Sequence, residues 1–217
     1  MRTGRGGGDL FPERRRGCRV YAGKYFWSSL CYLSVVCVSA LSMSCVKPTP
    51  LAVLSEVPQF TLVSETGQPF DSHLLDGRIW VADFIYTTCD GPCPMMSAHM
   101  RRIQDQTAAE YSDVRFVSFT VDPAHDTPPV LAEYAKRYKR DPNRWFFLTG
   151  ETPALNEVSL NGFKLNSVDG SMTHSTRFAL VDRQRRIRGY YITSEDGFMP
   201  KLMHDIRQLE REPRDKT

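Results

Sequence analysis

Apolar residues run almost without interruption from Ile79 to Tyr86, and they alternate with polar ones from Val114 to Val121. Both runs are short and rich in β-branched and aromatic residues, which predicts two buried strands. Phe60 to Val63 and Trp145 to Leu148 are shorter runs of the same kind, and Thr66-Gly67-Gln68-Pro69 reads as a turn. Phe178 to Val181 and Ile187 to Ile192 flank the polar stretch Asp182-Arg183-Gln184-Arg185, the signature of a hairpin. Helical spacing appears between these runs. Met96, Met100, Ile103 and Thr107 fall on one face of a helix that Pro94 is suited to open and that ends near Tyr111. Val130, Leu131, Tyr134, Ala135 and Tyr138 form a second stripe, with Thr127 as cap and Pro128 just inside. Pro153 to Leu160 predicts a short helix, and Leu202, Met203, Ile206 and Leu209 mark a closing one.

This order of elements implies an α/β domain with parallel central strands and a terminal hairpin and helix. That is a thioredoxin-like arrangement, a mixed sheet flanked by helices. The folded domain is expected over residues 57–212, with a tail at 213–217. Ahead of it lie a basic region at 1–24, an uncharged apolar segment at 25–46 and a linker at 47–56.

The uncharged run from Tyr25 to Val46 follows Arg14, Arg15, Arg16, Arg19 and Lys24. A positive flank before such a run is the pattern of a signal peptide or membrane anchor, and about 20 residues suffice to span a bilayer. Leu41-Ser42-Met43-Ser44-Cys45 resembles a bacterial lipoprotein cleavage site, which would make Cys45 the lipidated residue. The other reading is an uncleaved anchor in which Cys45 has no role. Either places the domain on the extracytoplasmic face of the cell membrane, where disulfides can form. The formal charge of only +3 in 217 residues, concentrated near the start, argues against nucleic acid as a partner.

Four of the six cysteines, Cys18, Cys31, Cys37 and Cys45, precede the domain. The other two stand in Thr88-Cys89-Asp90-Gly91-Pro92-Cys93-Pro94, between the first core strand and its helix. Pro92 and Pro94 disfavour helical angles at Gly91 and Cys93. Both cysteines are therefore expected in a loop over a helix N-terminus that favours thiolates. Three intervening residues give a wider bite than the usual two of dithiol exchange, leaving room for a soft metal. A disulfide or an inert pair is the plainer reading. His174 precedes the strand at Phe178, and in this fold that loop faces the cysteine loop. Two thiolates and an imidazole suit copper.

With these residues the chain resembles the SCO/SenC family of copper chaperones. The likeness is carried by Phe84-Ile85-Tyr86-Thr87-Thr88-Cys89, Cys93-Pro94, Val121-Asp122-Pro123, Asp126-Thr127-Pro128, Leu148-Thr149-Gly150 and His174. The resemblance implies a membrane tether and binding of Cu(I) and Cu(II) by Cys89, Cys93 and His174. It implies a redox-active Cys89–Cys93 pair able to form a disulfide. It also implies a partner, the copper-site subunit of cytochrome c oxidase or another copper or thiol protein, supplied with copper or kept reduced. Asp122 and Asp126 match a paired-aspartate feature to which the family likeness attaches an accessory role in docking or metal access. From the residues alone, Asp126 supports the helix start and Asp122 orders the turn with Pro123. Asp83 is expected as a satisfied buried carboxylate, His99 as packing, and Met95 and Met96 as neighbours of the loop. The alternatives are a metal-free thiol–disulfide oxidoreductase and a redox or copper sensor. A peroxiredoxin is disfavoured, because Tyr86 stands where that chemistry needs threonine.

Overall fold

The computed structural model describes residues 49–165, 168 and 175–214. The apolar runs become strands of one eight-stranded mixed sheet, ordered β1-β8-β7-β4-β5-β6-β2-β3. Its centre is parallel: β4 (Trp80–Ile85) pairs with β5 (Arg115–Thr120), and β5 with β6 (Trp145–Thr149). The predicted hairpin is β7 (Arg177–Val181) and β8 (Arg186–Ile192), and β7 lies antiparallel against β4. On the far side β2 (Thr61–Ser64) joins β6 and carries β3 (Pro69–Asp71) outward.

All six β4 residues are buried, so both sheet faces are covered. Period-two alternation divides them. Val81 and Ile85 pack with Cys93, Met96, Met100, Leu131, Phe178 and Leu202, beneath three helices. These are α1 (Pro92–Thr107), α2 (Pro128–Arg137) and, after α3 (Thr152–Asn156), the closing α4 (Phe198–Arg211). Trp80, Ala82 and Phe84 face the other way, onto Phe119, Leu148, Leu155 and Phe163.

Four expectations differ from this outcome. The helix expected to open at Pro94 begins at Pro92, with Gly91 as cap. The first helical N–H groups have no intrahelical partner, so proline there costs nothing in hydrogen bonding. The same helix ends at Thr107 rather than Tyr111. Its last turn is held by the buried Arg144, which donates to the Gln104 and Tyr111 carbonyls and to Thr107 Oγ1. The helix expected over Pro153 to Leu160 is α3 followed by a π-helical segment, Glu157–Gly162. Finally, the last two residues of the expected linker form a strand, β1 (Ser55–Glu56), on the edge of β8. Arg188 fixes that approach: it donates to the Leu51 carbonyl and pairs with Asp182 and Glu212. Among the described residues no helix is long and apolar enough to cross a membrane. The expected anchor at 25–46 and Cys45 lie outside them.

Candidate functional site

β4 delivers the chain to Tyr86 at the C-terminal edge of the parallel strands, and α1 leads it away. The turn between them carries both cysteines. Cys89 is 7 % exposed and Cys93 wholly buried. The two are thiols rather than a disulfide, so the expected Cys89–Cys93 bond is not formed in this structure.

The two sulfurs are not equivalent, contrary to the expectation of two favoured thiolates. Burial pushes the Cys89 thiol up, but backbone N–H groups of Cys93 and Gly91, the Cys93 side chain and the Tyr86 hydroxyl all favour its thiolate. The balance lies below the ordinary thiol value. Its partner goes the other way. Cys93 occupies the second position of α1 with its side chain turned into the core, and burial raises its thiol far above the usual range. The charges of Cys89 and Asp83 add to that rise. The Tyr86 hydroxyl, hydrogen-bonded to the Cys89 sulfur, is itself raised to about 12. Cys89 is thus the more easily ionised of the two thiols, and Cys93 is the one that burial keeps protonated.

Asp83 shares the α1 face of β4, at the position between Val81 and Ile85. Among the described residues neither carboxylate oxygen has a hydrogen-bond partner, which corrects the expectation of a satisfied group. Burial raises its pKa to about 7, and the Ser118 hydroxyl across on β5, already accepting from Trp145 Nε1, offsets little of this. A charged residue within an otherwise apolar strand was the visible signal; its lack of a partner was not readable.

Asp126 is fully buried and holds the loop from the other side. Its carboxylate accepts from Thr87 N at 3.2 Å, Thr87 Oγ1 at 2.5 Å and Thr120 Oγ1 at 2.5 Å. This link from the start of α2 to the cysteine loop is a tethering role that sequence reading missed. Asp122 is 8 % exposed and lies at the same turn. His125 is exposed, 3.3 Å from Asp126. His99 stacks edge-on against Phe198 at 5.0 Å, consistent with packing. Met96 is buried and Met95 exposed, one turn along from the cysteines. His174 lies outside the described residues. The sheet register brings the start of β7, at Arg177, to the end of β4 from which the cysteine loop leaves.

A model of the SCO1/SenC family matches residues 50–209. The chain belongs to the SCO1/SenC family. Among relatives of this SCO1/SenC protein, the SCO1 protein homolog of Bacillus subtilis is 34 % identical over 157 residues, 70 % of this chain and 81 % of the relative. A protein of Stutzerimonas stutzeri provisionally named copper-binding is 33 % identical over 141 residues, covering 62 % and 68 %. Of solved structures, BsSco superposes with a TM-score of 0.66 at 31 % identity, covering 76 % of this chain and all of that one. BsSco is a member of the Sco family of cytochrome c oxidase assembly proteins in which a disulfide switch has been identified. The mixed sheet flanked by helices is therefore the thioredoxin-like fold of this family.

Proposed function

We propose that this protein is a membrane-tethered, extracytoplasmic copper carrier in which Cys89, Cys93 and His174 hold the metal. It would serve the dinuclear copper site of cytochrome c oxidase, by delivering copper or by keeping that site's thiols reduced. The observation that carries the reading is the reduced, unequal thiol pair at the head of α1. Two sulfurs four residues apart on one turn form a soft donor pair, and soft thiolates select Cu(I). The fit is chemical as well as spatial. The N–H groups that lower the Cys89 thiol would hold it as a ligand, and the buried Cys93 would bind only on losing its proton. Copper uptake therefore releases protons, and affinity falls as pH is lowered. The copper-binding name of the S. stutzeri relative and the oxidase-assembly role of BsSco support the same reading.

A second reading has its own support. A low-pKa outer thiol beside a buried inner one is the arrangement of dithiol exchange, in which Cys89 attacks a partner's disulfide and Cys93 then displaces the partner. The disulfide switch of BsSco favours it. It assigns His174 no task, and this separates the two readings. The His174→Ala protein is expected to lose stable Cu(II) binding and its thiolate-to-copper absorption band, while still taking up Cu(I) more weakly. Unchanged Cu(II) spectra in the folded variant would remove His174 as a ligand and leave the dithiol reading.

A further inference from the structure

Tyr86, the first residue beyond β4, touches both sulfurs of the site. Its backbone N–H donates to the Cys93 sulfur. Its carbonyl accepts from the Cys89 N–H at 3.3 Å, closing the turn that carries the outer cysteine. Its hydroxyl donates to the Cys89 sulfur. The chain is fixed on either side of it. The Ile85 carbonyl accepts from Val121 N at 2.9 Å, and Thr87 N donates to the buried Asp126 carboxylate at 3.2 Å. The ring is half-buried and packs against the apolar layers on both faces of the sheet.

The Cys89 sulfur also receives the backbone N–H groups of Cys93 and Gly91, and the Cys93 thiol. The bond from the thiol needs a proton on Cys93, so it disappears once both sulfurs act as ligands. The bond from Tyr86 does not, because a phenol keeps its proton at neutral pH and goes on donating. We propose that Tyr86 sets the oxidation-state preference of the copper site, its hydroxyl stabilising the Cys89–Cu(I) bond more than the Cys89–Cu(II) bond. This rests on the reading that Cys89 and Cys93 hold copper. The physical reason is the charge left on sulfur. A thiolate bound to Cu(I) keeps most of its negative charge, whereas Cu(II) draws electron density from it. Hydrogen bonds to charged partners are roughly twice as strong as neutral ones, so the hydroxyl contributes more in the Cu(I) state. Hydrogen bonding around a copper-bound cysteine sulfur is one of the levers on the metal's potential. Tyr86 acts through Cys89 and is therefore a positioning residue rather than a ligand.

Tyr86→Phe removes the hydroxyl and leaves the ring and every backbone contact. The parent and this variant, as full chains in detergent, are titrated without oxygen with Cu(I) against a chromophoric chelator and, separately, with Cu(II) against glycine. The variant should lose Cu(I) affinity by more than Cu(II) affinity, narrowing the preference for Cu(I) by about three- to tenfold, the worth of one hydrogen bond. Its thiolate-to-copper absorption should move to lower energy, because the sulfur becomes a better electron donor. A merely structural role would weaken both ions alike and leave the band in place, and that result would overturn the inference. So would a larger loss for Cu(II) than for Cu(I), which would make Tyr86 a phenolate ligand. A parent that binds no copper would instead overturn the reading beneath it, and this inference with that reading. The melting temperature shows that the variant folds.

Discussion

Asp83, on the face of β4 that α1 covers, and Cys93, on α1 itself, are each held in the protonated form by burial. For Asp83 the consequence is a stability that depends on pH. The folded state keeps the proton up to about pH 7, whereas the unfolded chain releases it near 3.8. Between those values the folded state binds more protons, so this residue makes stability fall as pH rises, by on the order of 4 kcal/mol across the window. Asp83→Asn, which mimics the neutral acid, should remove that loss. Chemical denaturation at pH 5 and pH 8 should show the variant gaining on the parent at the higher pH. The cysteines give a companion prediction. Iodoacetamide should modify Cys89 much faster than Cys93 in the reduced protein, with a rate that rises through a pKa below the ordinary thiol value. Equal labelling, read by peptide mass analysis, would contradict the asymmetry. The burial of Asp83 was legible in the apolar run around it; its lack of a partner among the described residues and the inequality of the two thiols were not. Cysteine spacing announces a pair, but which sulfur turns inward follows from the helix opening at Pro92, two residues before the proline that marked it.

At the scale of elements, the strands and helices with strong periodicity were readable, because their burial on one face or two is written into residue order. The Val114 to Val121 run became β5 and the Val130 to Tyr138 stripe became α2. What depended on distant partners was not. β1 is two residues long and exists because β8 offers an edge, and α1 stops where Arg144, just ahead of β6, donates to the Gln104 carbonyl and to Thr107 Oγ1 in its last turn. Arg144 also donates to the Val114 carbonyl and lies over the Phe116 ring. Arg144→Met keeps much of the apolar stem but strands these acceptors. It should destabilise the domain by roughly 3 kcal/mol in urea unfolding. A change below about half a kcal/mol, the ordinary range of surface substitutions, would show that solvent replaces the guanidinium at this helix end.

For the whole molecule, the sheet sets the site on one edge: β4, β5 and the start of β7 converge where the cysteine loop, Thr87 and Asp126 meet. The family likeness and the alternation of elements made that edge legible in advance, since in parallel sheets the chemistry gathers beyond the carboxyl ends of the strands. The central claim is that this edge binds copper through reduced thiols. It is tested most directly by anaerobic titration of the full chain with Cu(I) against a chromophoric chelator, in reduced and oxidised forms. The reduced protein should take up one tightly held Cu(I) through Cys89 and Cys93, more weakly as pH is lowered. The disulfide form and the Cys89→Ser and Cys93→Ser variants should not compete for it. Equal uptake by the oxidised protein, or by either variant, would contradict the account.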